Sequence, residues 1–520
     1  MTSPARILVA GAGPAGLALA LQAHDHGAEV RIVDRRPAAF RPSRALIMHP
    51  RTLEVLRPLG VTGALLARAD TAPTADLRLG RQRAVQVRLA GFALPDTAFP
   101  YLSLIWQMDV ETVLARALGQ RGIGVERGTE LVRVRDRGGD VQAVLRTPGR
   151  LEEVCFDAVA GCDGPASTVR AQAGIGWAGR PYPVEIVLAD AELSGDLRPG
   201  AAHVAAGPGG LVFAFALGER ASWRLLATRP AGADPLPYGQ PGPPVPAAEL
   251  QALLDQSALT ARITGLAWSA RVRVQHGLAG QFSAGRLYLA GEAAHAYSPA
   301  TGQGMNAAIQ DAANLGWKLA LAAPGPPGAM LLGSYDQERR PAARQVLGLT
   351  HVAFWVEAAT GCLPALIRSR VMPLAGPAVP ALLGWRRPAA AGFRLISQLG
   401  VSYRGSPLSV EGTPRRHGGP RSGDRLPDQA VTCAGRRTRL HDLTARPGIH
   451  VLLDRDASWP AGLRPGPLVT VHRLSSVPGR GLLAVRPDGH VGFRSQVVVA
   501  GELAGWFAAV LPGITGNNPE

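Results

Sequence analysis

The sequence predicts an α/β protein: a Rossmann-like nucleotide domain with a mixed, largely antiparallel sheet inserted into it, and a smaller α/β domain after it. Three observations predict this. Near the N-terminus a strand, a glycine-rich turn, a helix and a second strand ending in an acid follow one another. Near residue 300 an apolar strand runs into a second glycine-rich turn and then a long helix. Between the two, apolar runs at 185–193, 211–217, 223–228 and 268–275 have the spacing of half-buried strands.

Residues 6–10 form the first strand, Gly11-Ala-Gly13-Pro14-Ala15-Gly16 the turn, 17–26 the helix, and 29–33 the strand that ends at Asp34. Glycines at these positions allow a tight turn, close backbone approach to a pyrophosphate and close helix–sheet packing. The helix N-terminus offers free N–H groups to phosphate. Asp34 is placed to accept from ribose hydroxyls. An ordinary glycine-rich turn would lack the terminal acid. A signal peptide would lack the regular glycines and the strand–acid sequel, although Arg6 does precede an apolar run.

A helix at 51–59 and short strands over 76–105 follow, then a helix at 109–121 and strands at 124–126, 131–136 and 141–147. The strand at 157–161 enters Cys162-Asp163-Gly164. After the inserted sheet, the strand at 286–290 meets Gly291 and Glu292, and a helix is expected over 307–322. The domain boundaries are therefore 1–177 with 281–400 for the nucleotide domain, part of 76–105 serving the substrate side, and 178–280 for the inserted sheet. Residues 401–423, polar and rich in Pro and Gly, read as a linker, and 424–520 as the small C-terminal domain.

The chain has 520 residues, a formal charge of +16 and 46% apolar residues, enough for several domains with real cores. Arginine supplies the charge, with Lys318 the single lysine. The arginines are scattered without a sustained run or aromatic interleaving, which argues against nucleic acid. Cys155, Cys162, Cys362 and Cys433 form no C-x-x-C pair, so a reduced, cytoplasmic protein without a metal site is expected. The most apolar stretch, 347–367, is interrupted by His351, Glu357 and Pro364 and does not read as a membrane span.

Taken together, Gly11, Asp163 and Glu292 resemble the single-component FAD-dependent aromatic hydroxylases, typified by p-hydroxybenzoate and phenol hydroxylases, and most closely their aromatic-polyketide subgroup. The resemblance spans nearly the whole chain. It implies a glutathione-reductase-type FAD domain and a thioredoxin-like C-terminal domain, which Cys433 alone leaves without a dithiol. The implied FAD contacts are Gly11, Gly13, Pro14, Ala15, Gly16, Asp34, Arg35, Arg44, Gln107, Asp163, Gly291, Glu292, Pro299, Gly302, Gln303, Gly304, Met305 and Asn306. Asp163 and Arg170 would also meet the nicotinamide nucleotide. Asp311, Asn314, Lys318, Tyr335, Glu338 and Arg339 match further family elements.

The implied chemistry uses NADPH or NADH to reduce FAD. Dioxygen then gives a C4a-hydroperoxide, which passes one oxygen atom to a phenolic or polycyclic aromatic substrate. Baeyer–Villiger insertion or epoxidation is the rival chemistry on this scaffold, and a non-catalytic flavoprotein that sequesters an intermediate is the rival class. No W-x-W-x-I-P segment supports a halogenase. A homodimer fits the resemblance, as does the absence of stable membrane insertion. The family usually carries Asp where this chain has Glu292, and the extra methylene shifts the carboxylate by roughly one bond length. No acid/base residue stands out. His49 and Tyr101 are the guesses, and His295 is read as a structural histidine that ties down a turn.

Overall fold

The computed structural model describes residues 3–38, 47–79, 85–207, 210–216, 222–232, 236, 238–322, 326–358, 362–371 and 386–512. The first strand, Arg6–Ala10, lies in a six-stranded sheet between Glu29–Asp34 and Ala158–Gly161, parallel to both. Leu287–Leu289 extends the sheet in parallel, so the two distant glycine turns leave the same edge of one sheet. Ile7, Leu8, Val9, Leu17, Leu19 and Leu21 are fully buried. The strand and the helix Pro14–His24 are apolar all round because one is covered on both faces and the other on nearly every side.

The helix from the second turn begins at Gln303, four residues earlier than the sequence predicts, and runs to Leu321. It packs along the helix Pro14–His24. There Gly316 is required, since a Cβ would stand 2.7 Å from Gln22 Cβ and 2.9 Å from Leu19 O. A three-stranded antiparallel sheet, Glu130–Asp136, Val141–Thr147 and Arg150–Phe156, completes the nucleotide domain.

The inserted sheet has eight strands, built around the long antiparallel pair Trp177–Gly195 and Ala261–Ala279. It is mixed, because Thr74–Leu79 joins it parallel to Ala201–Gly207, with Val85–Arg88 at the edge. Thr74–Leu79 and Val85–Arg88 thus add two strands to this sheet. One face of the sheet buries Val187, Ala189, Leu225 and Ala227 beneath the helix Ala247–Asp255. The other face, carrying Ile186, Leu188, Leu226 and Val272, belongs to a separate cluster.

The segment read as a linker is not a free tether. Val410–Glu411 pairs in parallel with Val491–Ser495 as the edge of a seven-stranded C-terminal sheet. Tyr403 Oη accepts from Arg339 Nη1 at 3.0 Å, and Ser406 Oγ donates to Glu338. Other polar residues of the segment bond the C-terminal domain, Glu411 to Arg494 and Arg416 to Asp454, so it is fastened on both sides, which composition alone could not reveal.

The Ser406 contact belongs to a buried ionic cluster. Glu338 accepts from Asn314 Nδ2 and Lys318 Nζ, each at 2.7 Å, from Ser406 Oγ, and from Arg486 at 2.6 and 2.8 Å. Arg486 also pairs with Asp488. Burial opposes ionisation of Glu338, but Arg486 and Lys318 prevail and hold its carboxyl near pH 2. Burial pushes the Lys318 ammonium down to about 8 despite its partner. The charges balance two against two. Glu338→Gln should therefore cost about 3–5 kcal/mol of stability, because it weakens every bond made to that carboxylate and leaves the Lys318 ammonium buried without its ion pair, while Arg486 keeps Asp488. Lys318→Met should cost less, and the double variant less than the sum of the two. Urea denaturation of the three variants checks the ranking.

Candidate functional site

The two turns lie side by side and frame one site: a Cβ on Gly291 would stand 3.1 Å from Ala15 Cβ. At its first end Asp34, 4% exposed, accepts from Ala12 N at 2.9 Å. The side chain that grips Asp34 is Arg36, through Nε and Nη2 at 3.1 and 2.9 Å, with Arg127 adding a bond at 3.2 Å. Arg35 is exposed beside it. Burial opposes the charge on Asp34, but the Arg36 bonds prevail and hold its carboxyl below the usual range. Arg36 also feels Glu111 and Glu292, so acids from three parts of the chain face one guanidinium. Arg44 lies outside the described residues.

The first turn is built as its glycines predict. A Cβ on Gly16 would stand 1.9 Å from Gly11 O, so helix and strand can meet only through glycine there. A Cβ on Gly13 would meet nothing within 4 Å, which leaves open space in front of the helix N-terminus. Among the described residues no side chain caps that helix, and Pro14 and Ala15 form its first turn.

Asp163 Oδ2 accepts from Thr168 N at 2.7 Å and Val169 N at 3.3 Å, while its Oδ1 is buried without a partner among the described residues. Burial pushes this carboxyl up. Arg170 turns inward. Its Nη1 and Nη2 donate to Ala293 O and Pro165 O at 2.8 and 2.6 Å, and its guanidinium stacks 4.5 Å over Trp177. It thus ties the Asp163 loop to the Gly291–Ala293 turn. Gln107 starts the helix Gln107–Gln120 and donates to Glu111, whose other oxygen is buried without a partner among the described residues.

At the second turn Gly291 N donates to Asp311 Oδ2 at 3.1 Å. Glu292 projects from the turn with its side chain exposed. His295 Nε2 meets Asp311 Oδ2 at 2.5 Å and stacks on Tyr297, so His295 is a brace, as expected. Pro299 is exposed at the start of the loop. Thr301 and Gly302 follow with φ of 62° and 65°, which leaves Gly302 as an uncapped N-cap for the long helix. Asn306 locks this shape. It donates to Ile47 O and Gly302 O and accepts from His49 N and Thr52 Oγ1, all within 2.7–2.8 Å. Gln303 donates to Ile396 O, Met305 is buried, and Gly304 faces open space.

Of the two acid/base guesses, His49 is fully buried, donates from Nε2 to Thr301 O, and is pushed down to about 4 by burial. It shapes the loop from behind. Tyr101 is half-buried and packs edge-on against Phe99. Arg36 and Arg127 escaped the sequence reading because nothing in the local pattern marks an arginine two residues past the acid, or one on the next parallel strand, as its partner.

Two uncapped helix N-termini, open space at Gly13, and unpartnered oxygens on Asp163 and Glu111 fit a dinucleotide that carries phosphates and hydrogen-bonding rings. Two alanine variants separate the roles of the glycines. Gly16→Ala should lower the melting temperature of the cofactor-free protein, because a Cβ collides with backbone. Gly13→Ala should leave that temperature within a degree or two and weaken FAD binding by about tenfold or more. Thermal melts and flavin fluorescence quenching check both.

The sequence profile of the FAD binding domain matches residues 5–350. Over 453 residues the chain is 32% identical to 6-methylpretetramide 4-monooxygenase of Streptomyces rimosus, covering 86% of this chain and 76% of that one. The solved structure of the anhydrotetracycline hydroxylase OxyS from Streptomyces rimosus aligns with a TM-score of 0.75 at 26% identity, over 98% of this chain and 100% of that one. The Diels-Alderase PyrE3 of pyrroindomycin biosynthesis aligns with a TM-score of 0.71 at 25% identity, over 97% and 98%. The cleft and these likenesses agree: the chain belongs to the FAD-dependent aromatic hydroxylase family and is an FAD-dependent monooxygenase.

Proposed function

We propose that this monooxygenase uses NADPH or NADH to insert one oxygen atom from dioxygen into a phenolic or polycyclic aromatic, polyketide-type substrate. The observation that carries the reading is that both glycine turns leave the same edge of one sheet and meet, a Cβ on Gly291 standing 3.1 Å from Ala15 Cβ. Asp34, released from Arg36, would take the adenosine ribose, and the N–H groups after Gly13 the pyrophosphate. Glu292, Gln107 and the free Asp163 oxygen would face the ribityl chain. FAD, when bound, supplies the redox chemistry that activates dioxygen.

The chain's own contribution is placement and charge. The backbone N–H groups of the helix Gln303–Leu321 point from Gly302 toward the cleft, and their dipole favours negative charge there. Asn306 and His49 keep that end from relaxing. Because Arg170 is bound to two carbonyls, the nicotinamide nucleotide would dock transiently against the Asp163 loop rather than in a second Rossmann unit. For the C-terminal domain a thioredoxin-like lineage is supported by its strand pattern. Ile449–Asp454 runs parallel to Val469–Leu474 and antiparallel to Leu482–Val485, with the helix Ala500–Val510 closing the domain.

The likeness to a Diels-Alderase favours testing oxygen transfer directly, since substrate pose decides what the scaffold does. The purified protein should be yellow or turn yellow with FAD. Hydroxyanthraquinones or phenols should accelerate NADPH or NADH oxidation, and mass spectrometry should find product one oxygen atom heavier. A product of unchanged mass would support cycloaddition-type or sequestering chemistry instead. NMR of the product separates hydroxylation from ring insertion. Glu292→Asp should retain or tighten FAD binding in a fluorescence titration. A large loss of flavin would mean that the pocket is fitted to the longer side chain.

A further inference from the structure

The helix Pro50–Leu56 has different neighbours at its two ends. At its start, His49 N and Thr52 Oγ1 hold Asn306 beside the cofactor loop. At its far end it passes into the one-turn helix Arg57–Leu59, and there two depressions meet. One is a crevice against the C-terminal domain, walled by Arg51, Glu54 and Arg57 on one side and by His441, Arg446 and Asp488 on the other. Its enclosed part is about 20 Å³, room for about one water-sized atom. The other is a groove of about 290 Å³ lined by Thr62, Gly63, Leu66, Ala98 and Phe99. That is roughly twice the ~150 Å³ that takes up benzene in an engineered apolar cavity. Arg57 lines both, so its side chain stands where they meet.

Most charges in the crevice are paired off. Glu54 accepts from Arg51, Arg425 and Thr97, and Asp488 pairs with Arg486. Burial lowers the pKa of His441 and of the neighbouring His450, so both rings are neutral near pH 7. What is left over is part of Arg57 and all of Arg446. Arg57 donates from Nη2 to Asp442, and its Nη1 is buried without a partner among the described residues. Arg446 is exposed at the rim and joins no ion pair among the described residues. Buried donors are almost always satisfied in folded proteins, so the Arg57 nitrogen calls for an acceptor. The crevice has room for one oxygen atom, its surplus charge is positive, and Leu66, Ala98 and Phe99 beside it are apolar.

We infer that crevice and groove together form a binding site for a small apolar acid, a carboxylate on one or two fused rings, apart from the cofactor cleft. One carboxylate oxygen enters the crevice and accepts from Arg57. Arg446 holds the other oxygen from the rim, and the rings lie along Leu66 and Phe99. A bare inorganic anion would leave the groove wet, and a neutral ring would leave the Arg57 nitrogen without a charged acceptor. Because the crevice walls belong to two domains, the occupant ties the C-terminal domain to the helix that begins beside Asn306.

The test titrates the FAD-loaded protein with 2-naphthoate by calorimetry. The wild type should bind one equivalent with a dissociation constant below about 1 mM. Naphthalene-2-carboxamide, the neutral isostere, and inorganic phosphate, the bare anion, should each bind about tenfold more weakly or worse. Arg57→Gln should lose about tenfold, and Arg446→Gln less, since its charge acts from an exposed rim. Gly63→Phe should block the groove with every charge in place, and a Cβ there meets nothing within 4 Å, so the fold has room for it. All three variants should keep their FAD and melt within about 2 °C of the wild type. A wild type that does not bind 2-naphthoate at about 10 mM overturns the inference, as does carboxamide or phosphate that binds equally well. Wild-type affinity in Arg57→Gln or in Gly63→Phe overturns it too. A shift in flavin absorption that persists in all three variants places the acid in the cofactor cleft, with the same result. If Arg57→Gln melts early, Gly63→Phe and Arg446→Gln decide, and wild-type affinity in either one sinks the inference.

Discussion

The buried carboxylate of Asp311 is the interaction on which the two halves of the cleft depend. It takes the N–H of Gly291 at the head of the second turn, His295 Nε2 at the tail, and Arg339 Nε from the neighbouring long helix. Burial would favour its neutral form, but His295 and Arg339 overcome that and keep it charged. Asp311 sits on the helix whose first turn faces the cleft, so one ion fixes the relative position of turn, helix and supporting helix.

The same helix carries the constraint outward. Asn314 and Lys318, one and two turns beyond Asp311, meet Glu338, and Glu338 meets Arg486 of the C-terminal domain. Arg339 reaches Tyr403 in the adjoining segment. The C-terminal domain, though it holds no dithiol, is thus wired to the cofactor helix through ions that cannot be exposed cheaply. It supplies Arg486 and Asp488 to the buried ionic cluster around Glu338.

The cofactor end of this architecture was legible in the sequence because its constraints are local. Gly11, Gly13, Gly16 and Asp34 obey spacing rules that follow from one strand, one turn and one helix. What escaped was set by distant partners. Residues 401–423 look like a tether because their polar side chains find carboxylates and guanidinium groups in the domains on both sides. Arg36 and Arg127 are two among many scattered arginines until the parallel pairing of Glu29–Asp34 with Val125–Arg127 brings them to one acid. The start of the long helix was misplaced by four residues because Gly302 and Thr301, both left-handed, read as loop while the chain is already turning into helix at Gln303.

The excess of positive charge takes on a different meaning in this light. Arg51 reaches Asp488 O, Arg425 reaches Glu54 and Asp96, and Arg439 holds Asp428 while touching Pro95 O. Each tie joins the C-terminal domain to the nucleotide domain or its insertion. A planar guanidinium with five donors can serve a carboxylate and a carbonyl at once, which an ammonium does less well in a fixed plane. Lys318 is the exception, standing one turn from Asn314 on a fully buried helix face beside Trp317. There the compact ammonium bonds Asn314 Oδ1 and Glu338 at 2.8 and 2.7 Å. In these places the basic composition serves to staple domains together around the cofactor helix, which is why scattered arginine was a poor guide to a charged partner.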